Sequence, residues 1–333
     1  MDLNKIWSDI ESKPPTGPGI VSRRIAPESS RDLFVGTSFP NNHRMLILKV
    51  NSETLQGIES FPSSRAVQTT VAPDGDNRVD VRVELLVQDA REVFSVFIAN
   101  VATAVLESGS DADAVQVLVE KFHYWRRLLS GESNEGLSPD AAQGLWGELW
   151  VMRHVLHPLW GRQVVASWTG ATKDDVDFRL GMSTAEVKTM RGDLPAVARI
   201  TSERQLDTSS GTTLVLIAVL VDRHRHGTGE SLPEMVRACL ELVQGADRTE
   251  LEDLFVAWGY LEIHEQRYVE TRYSIREVRA FHVLQGFPRI TESDLPEGVG
   301  KVSYYLSLDA CQAWRIELGQ VADLLPPDEA RKG

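Results

Sequence analysis

The stretch best equipped for chemistry is Asp174–Arg191, DDVDFRLGMSTAEVKTMR. Val176-Asp177-Phe178 sets an acid inside an apolar strand, and Ala185-Glu186-Val187-Lys188 sets an acid and a lysine two apart on the next. Period-two alternation puts Glu186 and Lys188 on one face. Leu180-Gly181-Met182-Ser183 reads as a turn, so the strands pair as a hairpin and Asp177 comes to lie beside Glu186. Two carboxylates so placed repel, and a divalent cation resolves the repulsion. Mg²⁺ takes oxygen ligands and keeps several waters. Such an ion polarises a phosphate oxygen, lowers the pKa of a bound water and offsets developing charge. A lysine two residues from a ligand orients that water or steadies the oxyanion. The pattern suits hydrolysis of a phosphodiester.

The plain alternative is a charge pair on a solvated strand face, where Glu-x-Lys is common. Two features weigh against it: the acid in an apolar strand upstream, and Glu148 among Leu145, Trp146, Leu149 and Trp150. A carboxylate in such company needs a partner. Asp174 and Asp175 compete with Asp177, which is preferred because Val176 and Phe178 flank it. His224 and His226, two apart in a polar Gly-containing stretch, have no third ligand nearby. His154 and His157 suit the exposed end of a helix. Arg126 and Arg127 either contact phosphate or simply favour a helix C-terminus. No GxxxxGK[ST], GxGxxG or Gly-x-Ser-x-Gly occurs, which argues against a nucleotide-driven motor or a serine hydrolase.

The elements that must position these residues follow from periodicity and caps. Leu3, Ile6, Trp7 and Ile10 predict a short opening helix. From about residue 20 to 88 the pattern is strand-like, with strands at Ala66–Val71, Arg44–Val50 and Arg78–Val87 and a turn at Pro73–Asn77. Helices are expected at Arg91–Glu107 and Asp111–Leu129. Gly131–Gly136 is a polar linker. Ser138-Pro139-Asp140 then starts a helix to about Leu156 that carries Glu148. Strands are expected at Val164–Trp168, Val176–Leu180 and Ser183–Thr189, then a helix around Thr201–Leu206. Thr212–Val221 is a continuous apolar run of strand length and should be the central, buried strand. Helices at Leu232–Leu242 and Thr249–Ala257 and strands near Tyr268–Val278 and Val302–Leu308 complete an α/β (overall α+β) layer fold with a mixed sheet flanked by helices. The expected domains are a β-rich N-terminal one over 1–130, a second over 137–325, and a polar tail over 326–333.

The chain has 333 residues, 42% hydrophobic and 25% charged, enough for two or three cores. Its net charge of −13 argues against tight, autonomous duplex binding but leaves a catalytic site open. Cys239 and Cys311 have no CxxC spacing, so reduced thiols in a cytoplasmic protein are expected. The N-terminus does not read as a signal peptide, and the apolar runs are too short to span a membrane.

At these residues the chain resembles a family. Asp177…Glu186-Val187-Lys188 looks like the signature of the PD-(D/E)XK phosphodiesterases, which include restriction enzymes and junction resolvases. The helix GLWGELW, Gly144–Trp150, is similar to the upstream helix that bears an acid in those enzymes. The closer resemblance is to a bacterial family of functionally uncharacterised proteins placed in that superfamily. It covers most of the chain, including the Trp125 helix, the Gly-Glu-Leu helix and the segment Ser202-Glu203-Arg204-Gln205-Leu206. One departure is the proline before the first acid, here Val176.

The resemblance implies a restriction-endonuclease-like sheet and a Mg²⁺-dependent DNA endonuclease, with Mn²⁺ able to substitute, in restriction or phage defence. It implies Asp177, Glu186, the Val187 carbonyl and Glu148 as metal ligands, Lys188 as the catalytic lysine, and Gln205, with Ser202 beside it, as assisting residues. DNA, a second copy of the chain, and a methyltransferase or ATPase partner are the implied associates. The competing expectation is a non-catalytic nucleic-acid or partner-binding subunit on a nuclease fold, which the acidity and the large N-terminal region favour.

Overall fold

Residues 2–56, 58, 60–125, 128–130, 136–172, 175–192, 195–209 and 211–327 are described by a computed structural model. The chain divides into two units, residues 1–135 and 136–333. The divide falls in the polar stretch read as a linker, of which 131–135 lie outside the described residues, as do Arg126, Arg127 and 328–333 of the expected tail.

In the first unit, α1 (Leu3–Glu11) is capped by the Asp2 carboxylate, which accepts the Lys5 N–H. It buries Leu3, Trp7 and Ile10 at helical spacing. Five antiparallel strands follow: β1 (Gly19–Arg24), β2 (Asp32–Phe39), β3 (His43–Asn51), β4 (Val67–Pro73) and β5 (Arg78–Leu85), in spatial order β1-β2-β3-β5-β4. Two helices, α2 (Arg91–Glu107) and α3 (Asp111–Trp125), pair through Phe97 with Phe122 and Trp125. Asp80, buried on β5, is held by Lys49 and Arg82.

The second unit begins with α4 (Pro139–Val151), where Ser138 accepts the Ala141 N–H and Pro139 sits in the first turn, as the sequence predicts. A π-helical turn, Met152–Leu156, continues it to the expected end, followed by α5 (His157–Trp160). Val164–Trp168, expected as a strand, is instead a short helix, α6 (Gln163–Ser167), with Trp168 making a single bridge to Phe178. A short apolar run does not distinguish the two by periodicity. Here Val164 and Val165 are buried from a helix that packs on the next strand and on a later helix.

Next come β6 (Phe178–Leu180) and β7 (Ser183–Arg191), joined by a two-residue turn in which Gly181 takes a φ of +58°. Asp177 therefore precedes the strand in which it was expected. The segment Thr201–Leu206, after β8 (Val197–Ile200), is a turn and not a helix. The apolar run is β9 (Thr213–His224), buried on both faces and central in a six-stranded mixed sheet. It runs on through Asp222–His224, into the polar stretch that holds His224 and His226.

After β10 (Glu230–Ser231), α7 (Leu232–Leu240) and α8 (Ala246–Trp258) comes β11 (Arg272–His282), which starts later than expected. Then β12 (Tyr304–Ser307) pairs with β8 in a separate two-stranded ribbon rather than joining the main sheet. β13 (Arg315–Ile316) and α9 (Val321–Leu324) complete the unit. The main sheet has the order β10-β11-β9-β7-β6, with β7 parallel to β9 and the other pairs antiparallel. Among the described residues no helix is long and apolar enough to cross a membrane.

The two faces of this sheet are covered differently. Leu214, Leu216, Ala218 and Leu220 pack with Ala198, Ile200 and Leu306 of the ribbon. On the other face α4 lies so close to β7 that a Cβ at Gly147 would stand 1.7 Å from Thr189 Oγ1. One turn earlier, a Cβ at Gly144 would meet nothing nearer than 3.8 Å. Gly147→Ala is therefore expected to destabilise the protein by roughly 1–3 kcal/mol through overpacking. Gly144→Ala should be neutral or gain up to about 1 kcal/mol from helix propensity. Urea unfolding of the two variants side by side checks the contrast.

Candidate active site

β7 is the axis of the site. In its register with β9, Glu186 lies beside Leu216 and Lys188 beside Ala218, so both side chains project on the face that carries the ribbon. Lys188 Nζ stands 2.6 Å from Glu186 Oε1. Glu186 is fully buried. β6 stops at Phe178, opposite Ala185, and leaves the edge of β7 open beyond it. Asp177 fills that edge: its Oδ2 accepts the Val187 N–H at 2.7 Å. Its backbone carbonyl accepts the Thr169 and Gly170 N–H groups, each at 2.9 Å. Asp175 is exposed and Asp174 lies outside the described residues, so among the described acids of this stretch Asp177 is the one that joins Glu186.

Glu148 arrives from the opposite side. Its helix packs on the face bearing Thr189, where the Gln143 amide also donates to the Thr189 carbonyl at 3.3 Å. The side chain meets the cluster at the β6 edge. A Cβ at Gly170 would lie 2.9 Å from Glu148 Oε2 and 3.0 Å from Asp177 Oδ1, so the two carboxylates approach one point kept clear by a glycine. The Trp168 indole donates to Glu148 Oε2 at 2.8 Å and the Trp258 indole to the same oxygen at 3.0 Å.

Gln205 reaches the cluster from a turn. Its Oε1 accepts Lys188 Nζ at 3.1 Å, the Thr201 N–H at 2.9 Å and the Thr201 hydroxyl at 3.2 Å. Ser202 serves the turn itself, its Oγ accepting the Arg204 N–H. The structure thus brings Asp177, Glu186, Val187, Lys188, Glu148 and Gln205 together. The histidine pairs stay apart from this cluster: His224 and His226 are exposed, and His154 stacks on Trp150 at 4.9 Å.

Sequence reasoning missed Trp168, Trp258, Gly170 and Thr201. The available signal was that a buried indole N–H needs an acceptor and a buried glutamate needs donors. What joins these groups is the fold.

A family model described as "Putative PD-(D/E)XK family member", DUF4420, matches residues 3–309. The chain belongs to this family. No curated protein and no solved structure gives a significant match. The DUF4420 assignment spans nearly the whole chain and so takes in every residue of the cluster.

The electrostatics of the DUF4420 site are those of three crowded carboxyls facing one ammonium. Burial pushes Glu186 up to about 8, and the Asp177 charge adds to this while Lys188 opposes it. Burial also raises Asp177, against the pull of Lys188 and the Val187 N–H. It raises Glu148 well above the carboxylate range, with Asp177 adding and the two indole donors opposing. For Lys188 burial works downward, but Glu186 and Asp177 outweigh it and hold the ammonium above its ordinary value.

A divalent cation suits this excess of negative charge. Neither Glu186 oxygen meets a donor in good hydrogen-bond geometry, although Lys188 stands close by. These are orphaned buried acceptors, which native proteins seldom leave without an ion or a water. Among the described residues no three acidic, histidine or cysteine side chains form a ready-made ligand set. Part of the reason is that Asp177 Oδ2 and Glu148 Oε2 are turned toward protein donors. The residues fit a cation, which would take the carboxylate oxygens that these donors leave free.

An acid whose folded pKa is raised above its unfolded value loses stability as pH climbs from the unfolded pKa through the folded one. For Glu186 that window runs from about 4.5 to about 8. In EDTA, Glu186→Gln should therefore melt higher than the unsubstituted protein at pH 8.5 and close to it at pH 5. The expected gain is several degrees, at about 2–4 °C per kcal/mol for a domain of this size. Equal melting temperatures at both pH values would contradict the assigned burial cost.

Proposed function

We propose that this chain is a Mg²⁺-dependent DNA endonuclease, with Mn²⁺ able to substitute. The observation that carries this reading is the convergence of Asp177, Glu186 and Glu148 at one strand edge with Lys188 2.6 Å from Glu186. Asp177, Glu186 and Glu148 would hold the ion. The Val187 carbonyl, which shares the open edge of β7 with its N–H, would join them. Once bound, the ion supplies charge neutralisation at phosphate and a more acidic water.

The protein's own part is positional. Lys188 has three donors; Gln205 accepts one and Glu186 draws the ammonium as an ion-pair partner, which leaves donor capacity for a phosphate or water oxygen. That capacity steadies charge developing on phosphate. Gln205 holds the ammonium in place and is itself tied to Thr201. Family membership supports phosphodiester chemistry, and a role in restriction or phage defence in the cytoplasm is the setting we propose for it. DNA is the proposed substrate. Double-strand cleavage needs two sites, which a homodimer would supply. With a net charge of −13, a methyltransferase or ATPase partner is proposed to supply the grip on DNA.

The same acidity supports a second reading, a non-catalytic subunit on a nuclease fold. Calorimetry separates the two: no uptake of Mg²⁺ or Mn²⁺, with biological activity intact in Asp177→Ala, would favour the second. For the first, supercoiled plasmid should be nicked or linearised with Mg²⁺ or Mn²⁺. Lys188→Ala should cut slower by about 10²–10³-fold, the usual cost of a lost transition-state donor. Equal cutting by both proteins would remove Lys188 from the chemistry.

A further inference from the structure

The two indoles on Glu148 carry an inference that rests on the metal reading above and goes beyond it. A carboxylate oxygen offers two lone pairs. On Glu148 Oε2 both are engaged, by Trp168 Nε1 at 2.8 Å and Trp258 Nε1 at 3.0 Å. The donors are firmly placed. Trp168 is buried and packs edge-on against Phe255 at 5.7 Å. Phe255 lies on α8, the helix that ends in Trp258, so one helix backs both indoles. The Trp258 ring passes Gly144, one turn before Glu148, at ordinary contact distance from where a Cβ would stand. Asp177 Oδ2 has one of its two lone pairs engaged, by the Val187 N–H.

We propose that Trp168 and Trp258 are positioning residues that make Glu148 a one-oxygen ligand and so bias the site toward small octahedral cations over Ca²⁺. Ca²⁺ takes six to eight oxygens and readily accepts both oxygens of a carboxylate, whereas Mg²⁺ holds to six-fold geometry and takes single carboxylate oxygens with water. An oxygen saturated by two N–H donors is closed to chelation. Removing one donor reopens it.

The test uses the full chain and metal alone. In ¹⁵N-indole spectra, with Trp168→Phe and Trp258→Phe assigning the resonances, both N–H signals should lie downfield as carboxylate donors and stay there when Mg²⁺ is added. Movement of either signal to the position of a free indole on saturation with Mg²⁺ would overturn the proposal. By calorimetry, Trp258→Phe should bind Ca²⁺ more tightly relative to Mn²⁺ than the unsubstituted protein does, by at least about threefold. Its far-ultraviolet circular dichroism should be unchanged. An unaltered Ca²⁺/Mn²⁺ ratio in the folded variant also overturns the proposal while leaving the metal site standing. Absence of Mn²⁺ binding to the unsubstituted protein overturns the metal reading and this inference with it.

Discussion

A strand inside a sheet needs hydrogen-bond partners along both edges, and at Val187 the partner on one edge is a carboxylate. β6 ends one residue after Asp177 when followed back from the turn, and the Asp177 side chain takes the Val187 N–H that a longer strand would have bonded. This substitution of side chain for backbone ends the sheet locally and opens a gap. Through that gap Glu148, carried on one face, meets Glu186 and Lys188, which project on the other. A β6 two residues longer, reaching Val176, would pair Val187 with backbone and close the meeting point. The close contact of Gly147 with Thr189 sets how near α4 comes, and hence whether Glu148 reaches the edge at all.

The site is costly to the fold. Desolvating a carboxylate without full compensation is unfavourable, and here three are crowded against one lysine. The sheet can tolerate this because β9, buried on both faces, anchors the strand that bears Glu186 and Lys188. The raised carboxyl pKa values follow first from burial, with the Asp177 charge adding at Glu186 and Glu148, and an ion that offsets the negative charge would be bound with free energy already stored in the protein.

Much of this was legible from the sequence where local rules suffice. Period two placed Glu186 with Lys188, Gly181 marked the hairpin turn, Ser138-Pro139 marked the start of α4, and the apolar run marked β9. The failures occurred where tertiary contacts overrule local pattern. Val164–Trp168 has strand-like composition, but it folds as a helix because α8 and β6 together bury it from that geometry. Thr201–Leu206 looks helical, yet the Gln205 side chain takes the Thr201 N–H and Lys188, and a turn suffices to hold it there. The partners of Glu148 were out of reach for a simpler reason. Trp258 lies 110 residues along the chain, and no local pattern reports on such a contact.

The paired indoles also bear on how this protein can change over generations. Replacing Glu148 by an apolar residue would strand two N–H groups, one of them wholly enclosed, and replacing either tryptophan alone would weaken the hold on a carboxylate that remains. The three positions thus form a single heritable unit, and stepwise loss of any one passes through a less stable intermediate. In this chain the acid and both indoles are present and bonded to one another.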